Sequence, residues 1–293
     1  TRLAGSHLVA SFRQVGLSRI IALDAIYLNL DRSVDRRVSC EAQLSSRGFR
    51  FTRLPAFTPD TVPEQMRRRF APTKRSGLTP VEIACFASHL RALEMIRDRP
   101  DGYYAVCEDD IEFLATAAEM SAIYDAIASR AEADVVRPVC FSKGPTLLLQ
   151  HVGRHAIAIN LIEPIYSYFY WITPRSAERQ LEMAHGLDIT FDVFQRWMAR
   201  YGVRSQTVLP PLAREFVDEK NGDADRFVST IDPSRSRFGM RRNYRFDHQK
   251  PTLLALKQFS QDIGFWNLMR LYWAYIRMRA RGVKKDIELD FLI

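Results

Sequence analysis

The chain has 293 residues, 47% of them hydrophobic and 26% charged, which excludes a disordered polypeptide and supplies one large domain or one domain with an appendage. Its net charge of +8 is segregated: residues 1–234 carry 29 basic and 29 acidic side chains, whereas 235–293 carry 13 basic and 5 acidic. A charge-neutral body offers no basic stripe to nucleic acid, so no nucleic-acid partner is expected, and any anionic partner is expected at the C-terminal fifth.

The start, 1–10, has no signal-peptide pattern. No run of 18 uncharged apolar residues occurs, so no ordinary membrane-spanning helix is expected. Ile20–Leu30 reads as a buried first strand, Asp31-Arg32-Ser33 as a turn, and Val34–Ser46 as a helix closed at Gly48. Phe49–Phe57 is a second strand, and the strand–helix–strand order predicts a parallel pair. Pro59–Ser76 is basic and irregular, and Arg67–Arg75 is a candidate mobile loop over the phosphates of a bound ligand. Thr79-Pro80-Val81-Glu82 has capping-box spacing with proline at the first helical position, and its helix carries Cys85, Ser88 and His89 before stopping ahead of Pro100.

Tyr103–Cys107 is a short apolar strand that runs into Glu108-Asp109-Asp110. Thr116–Glu119 opens another helix with capping-box spacing. Asp134–Phe141, His155–Ile162, Ile165–Thr173 and Val203–Leu209 read as strands, with a turn at Lys143-Gly144-Pro145. Thr173-Pro174 caps a helix ending near Gly186, and Phe191–Tyr201 is helical. Alternating strands and helices over 20–210 predict an α/β fold with a mostly parallel sheet. In the run Tyr166, Tyr168, Phe169, Tyr170 and Trp171, strand alternation predicts that half the rings are buried and half exposed. Cys40, Cys85, Cys107 and Cys140 form no C-x-x-C pair, so reduced thiols and a reducing compartment are expected.

Glu108-Asp109-Asp110 is the sharpest chemical signal, because ligands of open α/β sheets bind at the carboxyl ends of strands. In an extended segment Glu108 and Asp110 share a face, where they repel unless a cation offsets them. Oxygen ligands fit Mg²⁺ or Mn²⁺ held between carboxylates and substrate phosphates. An acidic turn leading into a helix is the other reading of the same residues.

Four blocks in order resemble glycosyltransferase family 25, which includes lipooligosaccharide galactosyltransferases and collagen galactosyltransferase domains. They are Ile26–Arg32 with Asp35-Arg36-Arg37; Leu78–His89 with Glu82, Cys85 and Ser88-His89; Val106–Ile111; and Tyr170–Ala177 with Asp192 downstream. Ser229-Thr230-Ile231 is a weaker fifth match. The family's glycine before Cys85 is Ala84 here, and its Pro-Val before Asp192 is Thr190-Phe191.

The resemblance implies a GT-A-type fold, a single Rossmann-like nucleotide-sugar-binding domain in residues 1–234 with its core at about 20–231. It implies inverting transfer of a hexose, commonly galactose from UDP-galactose, to a glycan such as lipopolysaccharide or lipooligosaccharide. Glu108 and Asp110 would then hold Mn²⁺ (or Mg²⁺) against the donor diphosphate. Asn29, Arg32, Ser88, His89 and Asp109 fall on the donor side. Asp192 is the first choice for general base, with Asp188 and Glu82 as reserves.

Residues 235–293 form a basic, aromatic extension, and Phe259–Arg281 reads as an amphipathic helix with Arg270, Arg277 and Arg281 on one face. Trp, Tyr and Arg together suit a membrane interface. Contact through 255–285 would make the protein cytoplasmic and peripheral on the inner face of a membrane, near a lipid-linked acceptor. Packing of this helix on the catalytic domain is the competing expectation. Against the transferase stand a metal-dependent phosphohydrolase, an inactive glycan-binding relative and a nucleic-acid binder.

Overall fold

The computed structural model describes residues 23–71, 78–138, 145–161, 166–198, 202–215, 257, 260–261 and 263–280. Strand β1 (Leu23–Asn29), helix α1 (Val34–Ser46) and strand β2 (Phe49–Pro55) form the expected strand–helix–strand unit, with β1 and β2 parallel. Gly48 has φ +78°, the left-handed conformation that ends α1 without a Cβ penalty. After the short α2 (Glu64–Arg67), α3 (Pro80–Arg97) starts at the predicted capping box. The Thr79 side chain accepts from the Glu82 amide, and the Glu82 carboxylate accepts from the Thr79 amide.

Strand β3 (Tyr104–Glu108) pairs parallel to β1 and places Glu108 beside Leu28. A two-residue turn, Asp109-Asp110, leads into β4 (Ile111–Phe113). Then follow α4 (Ala117–Arg130), β5 (Val135–Arg137), β6 (Thr146–Val152), β7 (His155–Asn160), β8 (Phe169–Ile172), α5 (Pro174–Met183), α6 (Phe191–Trp197), β9 (Ser205–Leu209), β10 (Ala213–Glu215) and α7 (Phe265–Ala280). Strands β4 and β10 make a separate antiparallel ribbon. The sequence reading did not anticipate α2, β4, β6 or β10, all short or weakly patterned.

The main sheet has eight strands in the order β2-β1-β3-β8-β5-β9-β7-β6. Strands β1, β2, β3, β5, β6 and β9 run one way; β7 and β8 run against them. The protein is thus mixed α/β with a large central sheet, in keeping with a Rossmann-like glycosyltransferase. Alternation along β1 divides the core. Leu23, Ala25 and Tyr27 face a cluster with Cys40 and Leu44 of α1 and Ile123 and Ile127 of α4. Ile26 and Leu28 face a second cluster with Phe86, Leu90 and Leu93 of α3 and Leu181 of α5.

Helices on both faces explain why Phe169, Tyr170 and Trp171 are all buried. The expectation that half this run is exposed is corrected: β8 is an interior strand covered on both sides. Cys40, Cys85 and Cys107 are free thiols. Lys143-Gly144-Pro145, apart from Pro145, Ser229–Ile231 and Cys140 lie outside the described residues. No described helix is long and apolar enough to cross a membrane.

Candidate active site

Strands β1, β3 and β5 end at one edge of the sheet, and that edge gathers the chemistry. Asn29 ends β1, Glu108 ends β3 and leads into Asp109-Asp110, and Arg137 ends β5. The antiparallel β8 begins at the same edge, where the Glu108 amide donates to the Tyr168 carbonyl at 2.9 Å.

Asn29 is buried and organises the first two strands. Its amide donates to Asp109 Oδ2 at 2.6 Å and to the Ser33 carbonyl at 3.0 Å, while its oxygen accepts from Arg53 Nε at 2.9 Å. Arg36, in the first turn of α1, places one guanidinium nitrogen 3.2 Å from Asp109 Oδ1 and 3.2 Å from Asp110 Oδ2. A single cation therefore bridges two of the three acids. Asp109 uses both oxygens on these partners within the protein.

The remaining charge is unevenly offset. Burial, followed by the neighbouring Asp109, pushes the Glu108 carboxyl up to about 7. Burial and Glu108 push Asp110 up to about 8 despite Arg36. Glu215 adds to both, because β10 pairs with β4 and sets Glu215 opposite Ile111. Excess carboxylate at a buried edge is the arrangement a divalent cation relieves, and the oxygen donors suit Mg²⁺ or Mn²⁺.

His89 forms the floor. It is fully buried, its ring stacks on Phe191 at 4.0 Å and 8°, and its Nδ1 lies 3.3 Å from the Tyr170 hydroxyl. Nε2 has no hydrogen-bond partner and faces Glu108 Oε1 at 3.5 Å. Burial lowers its pKa to about 3, so the ring is neutral at physiological pH. Cys85, one turn earlier on α3, offers a thiol within 4.8 Å of the His89 and Glu108 ligand atoms. That trio would suit a softer ion, but burial pushes the thiol well above its ordinary value, so it stays protonated without one.

Asp192 stands in the first turn of α6, next to Phe191. Burial, and then the Glu108 carboxylate, push it up to about 7, which places it in the same electrostatic neighbourhood. The other sequence-derived candidates separate from this group. Glu82 is buried in the capping box that starts α3. Ser88 accepts from the Phe57 amide and donates to the Ala84 carbonyl, both at 2.8 Å, and so ties α3 to the chain after β2. Arg32 is exposed on a turn, and Asp188 is exposed in the segment between α5 and α6. Arg67 donates to the Val62 and Pro59 carbonyls and Arg69 to the Leu181 carbonyl, so these two arginines brace the fold; residues 72–77 lie outside the described ones.

Sequence reasoning missed Arg36 as a partner of the acids, although Asp35-Arg36-Arg37 was in view. It also missed Glu215, Arg137 and Phe191. Arg137 is buried and lowers the pKa of Asp192. No local signal marks these residues, because each reaches the site through tertiary packing.

No curated protein matches the chain. Residues 24–137, from β1 to the end of β5, match the family model described as glycosyltransferase family 25 (LPS biosynthesis protein). The matched segment contains Asn29, Arg36, His89, Glu108, Asp109, Asp110 and Arg137, whereas Asp192 and Glu215 lie beyond it. The edge built by β1, β3 and β5 thus lies within the segment, residues 24–137, that matches the glycosyltransferase family 25 model.

Proposed function

We propose that the protein is an inverting, metal-dependent glycosyltransferase that moves a hexose from a UDP-sugar, with galactose from UDP-galactose the first choice, to a glycan of the lipopolysaccharide class. The observation that carries this reading is the crowding of Glu108, Asp109 and Asp110 at the carboxyl edge, inside the segment that matches the family. The catalytic unit is placed in residues 1–234, with 235–293 as its extension.

In this reading Glu108 and Asp110 hold Mn²⁺ or Mg²⁺. The bound ion would offset the negative charge that develops on the departing diphosphate. Arg36, which pairs with Asp109 and Asp110 at the same edge, would stand near the donor phosphates. Asn29 and Arg36 hold the two oxygens of Asp109, which would contribute to the donor side through its place between Glu108 and Asp110. His89 stays neutral and so supplies no cation of its own to Glu108, which leaves that carboxylate for the metal ion to pair.

Asp192 takes the proton of the acceptor hydroxyl as the new glycosidic bond forms. With a pKa of about 7 it is substantially ionised at neutral pH and still basic enough to accept that proton. Glu82 and Asp188 are weaker choices, the first because its carboxylate caps α3 and the second because it is exposed between α5 and α6.

The test is UDP release from a panel of UDP-sugars with and without Mn²⁺, using wild type and Asp110→Ala. Manganese-dependent turnover of one donor, reduced at least about a hundredfold in the variant, is the expected result. Absence of UDP release, together with absence of binding to any nucleotide sugar, removes the reading. A phosphohydrolase would instead cleave simple phosphate esters in the same assay.

A further inference from the structure

Helix α7 is apolar on two sides, and the fold uses one of them. Leu268 and Leu271 are buried against Leu147, Ile159 and Leu161 of the β6–β7 edge. The other side carries Phe265, Trp266, Tyr272, Trp273 and Ile276, with exposures of 58, 78, 39, 56 and 40%. These are five of the nine exposed large hydrophobic side chains among the described residues, so the patch is concentrated on one element. At 3.6 residues per turn they form one stripe along a helix of 16 residues. Arg270 and Arg277, seven residues apart and both exposed, border it.

We infer that this stripe lies in the surface of an anionic lipid bilayer, with α7 parallel to the membrane plane. Two observations select that occupant. The helix contains no acidic residue, and its segment holds the protein's whole excess positive charge, complementary to anionic headgroups. Tryptophan and tyrosine beside arginine match the apolar-to-polar gradient of the interface, where rings enter the acyl boundary and guanidinium groups stay at headgroup level.

The contact is independent of the sugar chemistry, and the experiment keeps the two apart. The full chain is sedimented with vesicles of phosphatidylcholine alone and of phosphatidylcholine with phosphatidylglycerol. Binding to the anionic vesicles, weaker on neutral ones and reduced by salt, is expected. Trp266→Ser with Trp273→Ser, and separately Arg270→Glu with Arg277→Glu, should each weaken it at least about tenfold, with unchanged circular dichroism. UDP release by these variants in the absence of lipid should match wild type; its failure in every form of the protein would count against the transferase and leave the lipid contact standing. Equal sedimentation of wild type and the tryptophan variant overturns the inference, as does absence of wild-type binding to anionic vesicles. A lipid-free dimer on gel filtration that the tryptophan variant abolishes would reassign the stripe to self-association and overturn it too.

Discussion

At the residue scale, burial turns a familiar set of side chains into a poised one. His89 shows this in isolation. In the unfolded chain an imidazole takes a proton near 6.5, whereas in the folded protein it stays neutral down to about 3. Between those values the unfolded state binds more protons, so the stability that neutral His89 contributes is complete above about pH 6.5 and declines as pH falls. The carboxyls of Glu108, Asp110 and Asp192 act with the opposite sign. Their folded pKa values are raised, so they favour the folded state increasingly as pH falls through 8 and 7 towards 4. His89→Phe, which keeps an aromatic ring against Phe191, separates the two effects. Urea midpoints at pH 7 and pH 5 should show wild type losing on the order of 1–2 kcal/mol more than the variant over that interval. Equal losses would mean that His89 exchanges protons with solvent in the folded state.

At the element scale, the two ends of α3 and α6 separate structural acids from chemical ones. Glu82 and Asp192 both sit in the first turn of a helix, and only Glu82 stands at capping-box spacing from a threonine. The fold distinguishes them by what each carboxylate meets. Glu82 closes a reciprocal hydrogen-bonded ring with Thr79, and glutamine can make the same bond. Asp192 meets the field of Glu108 instead. Glu82→Gln should therefore retain turnover within about threefold, whereas Asp192→Asn should lose about a hundredfold or more in kcat with the donor KM little changed. The measurement is steady-state transfer to an acceptor at saturating donor. A large loss in Glu82→Gln with wild-type thermal stability would move the general base to α3.

At the whole-molecule scale, the C-terminal helix is both part of the body and an unused surface. Its packed side completes a small cluster at the β6 edge, where Leu271 is fully buried. Truncating that residue leaves a cavity under the helix. Leu271→Ala should cost about 2–4 kcal/mol of local stability. Hydrogen exchange should then show lost protection across 265–280 with β3 unchanged, since β3 lies five strands from β6, in the interior of the sheet, and draws its stability from other clusters. Protection lost equally in β3 would show that the helix and the sheet unfold as one unit. The two sequence-level expectations for this segment, docking on the body and contact with a membrane, thus refer to opposite sides of one helix.

Much of this was legible in the chain because it is encoded locally. Hydrophobic runs ended by turn residues fixed β1 and β3, Thr79-Pro80-Val81-Glu82 announced α3, and three acids after an apolar strand marked the edge where a ligand binds. Helix periods and caps depend on residues three or four apart, so one sequence displays them. The tertiary structure decided what depends on longer range. It ran β7 and β8 against their neighbours, buried the whole Phe169–Trp171 run between helix layers, brought Arg36 to acids more than 70 residues away, and set Glu215 beside β4. It also chose which side of α7 meets the sheet. Those outcomes follow from how covered surfaces and charges are shared among distant segments, and no local pattern of residues records that sharing.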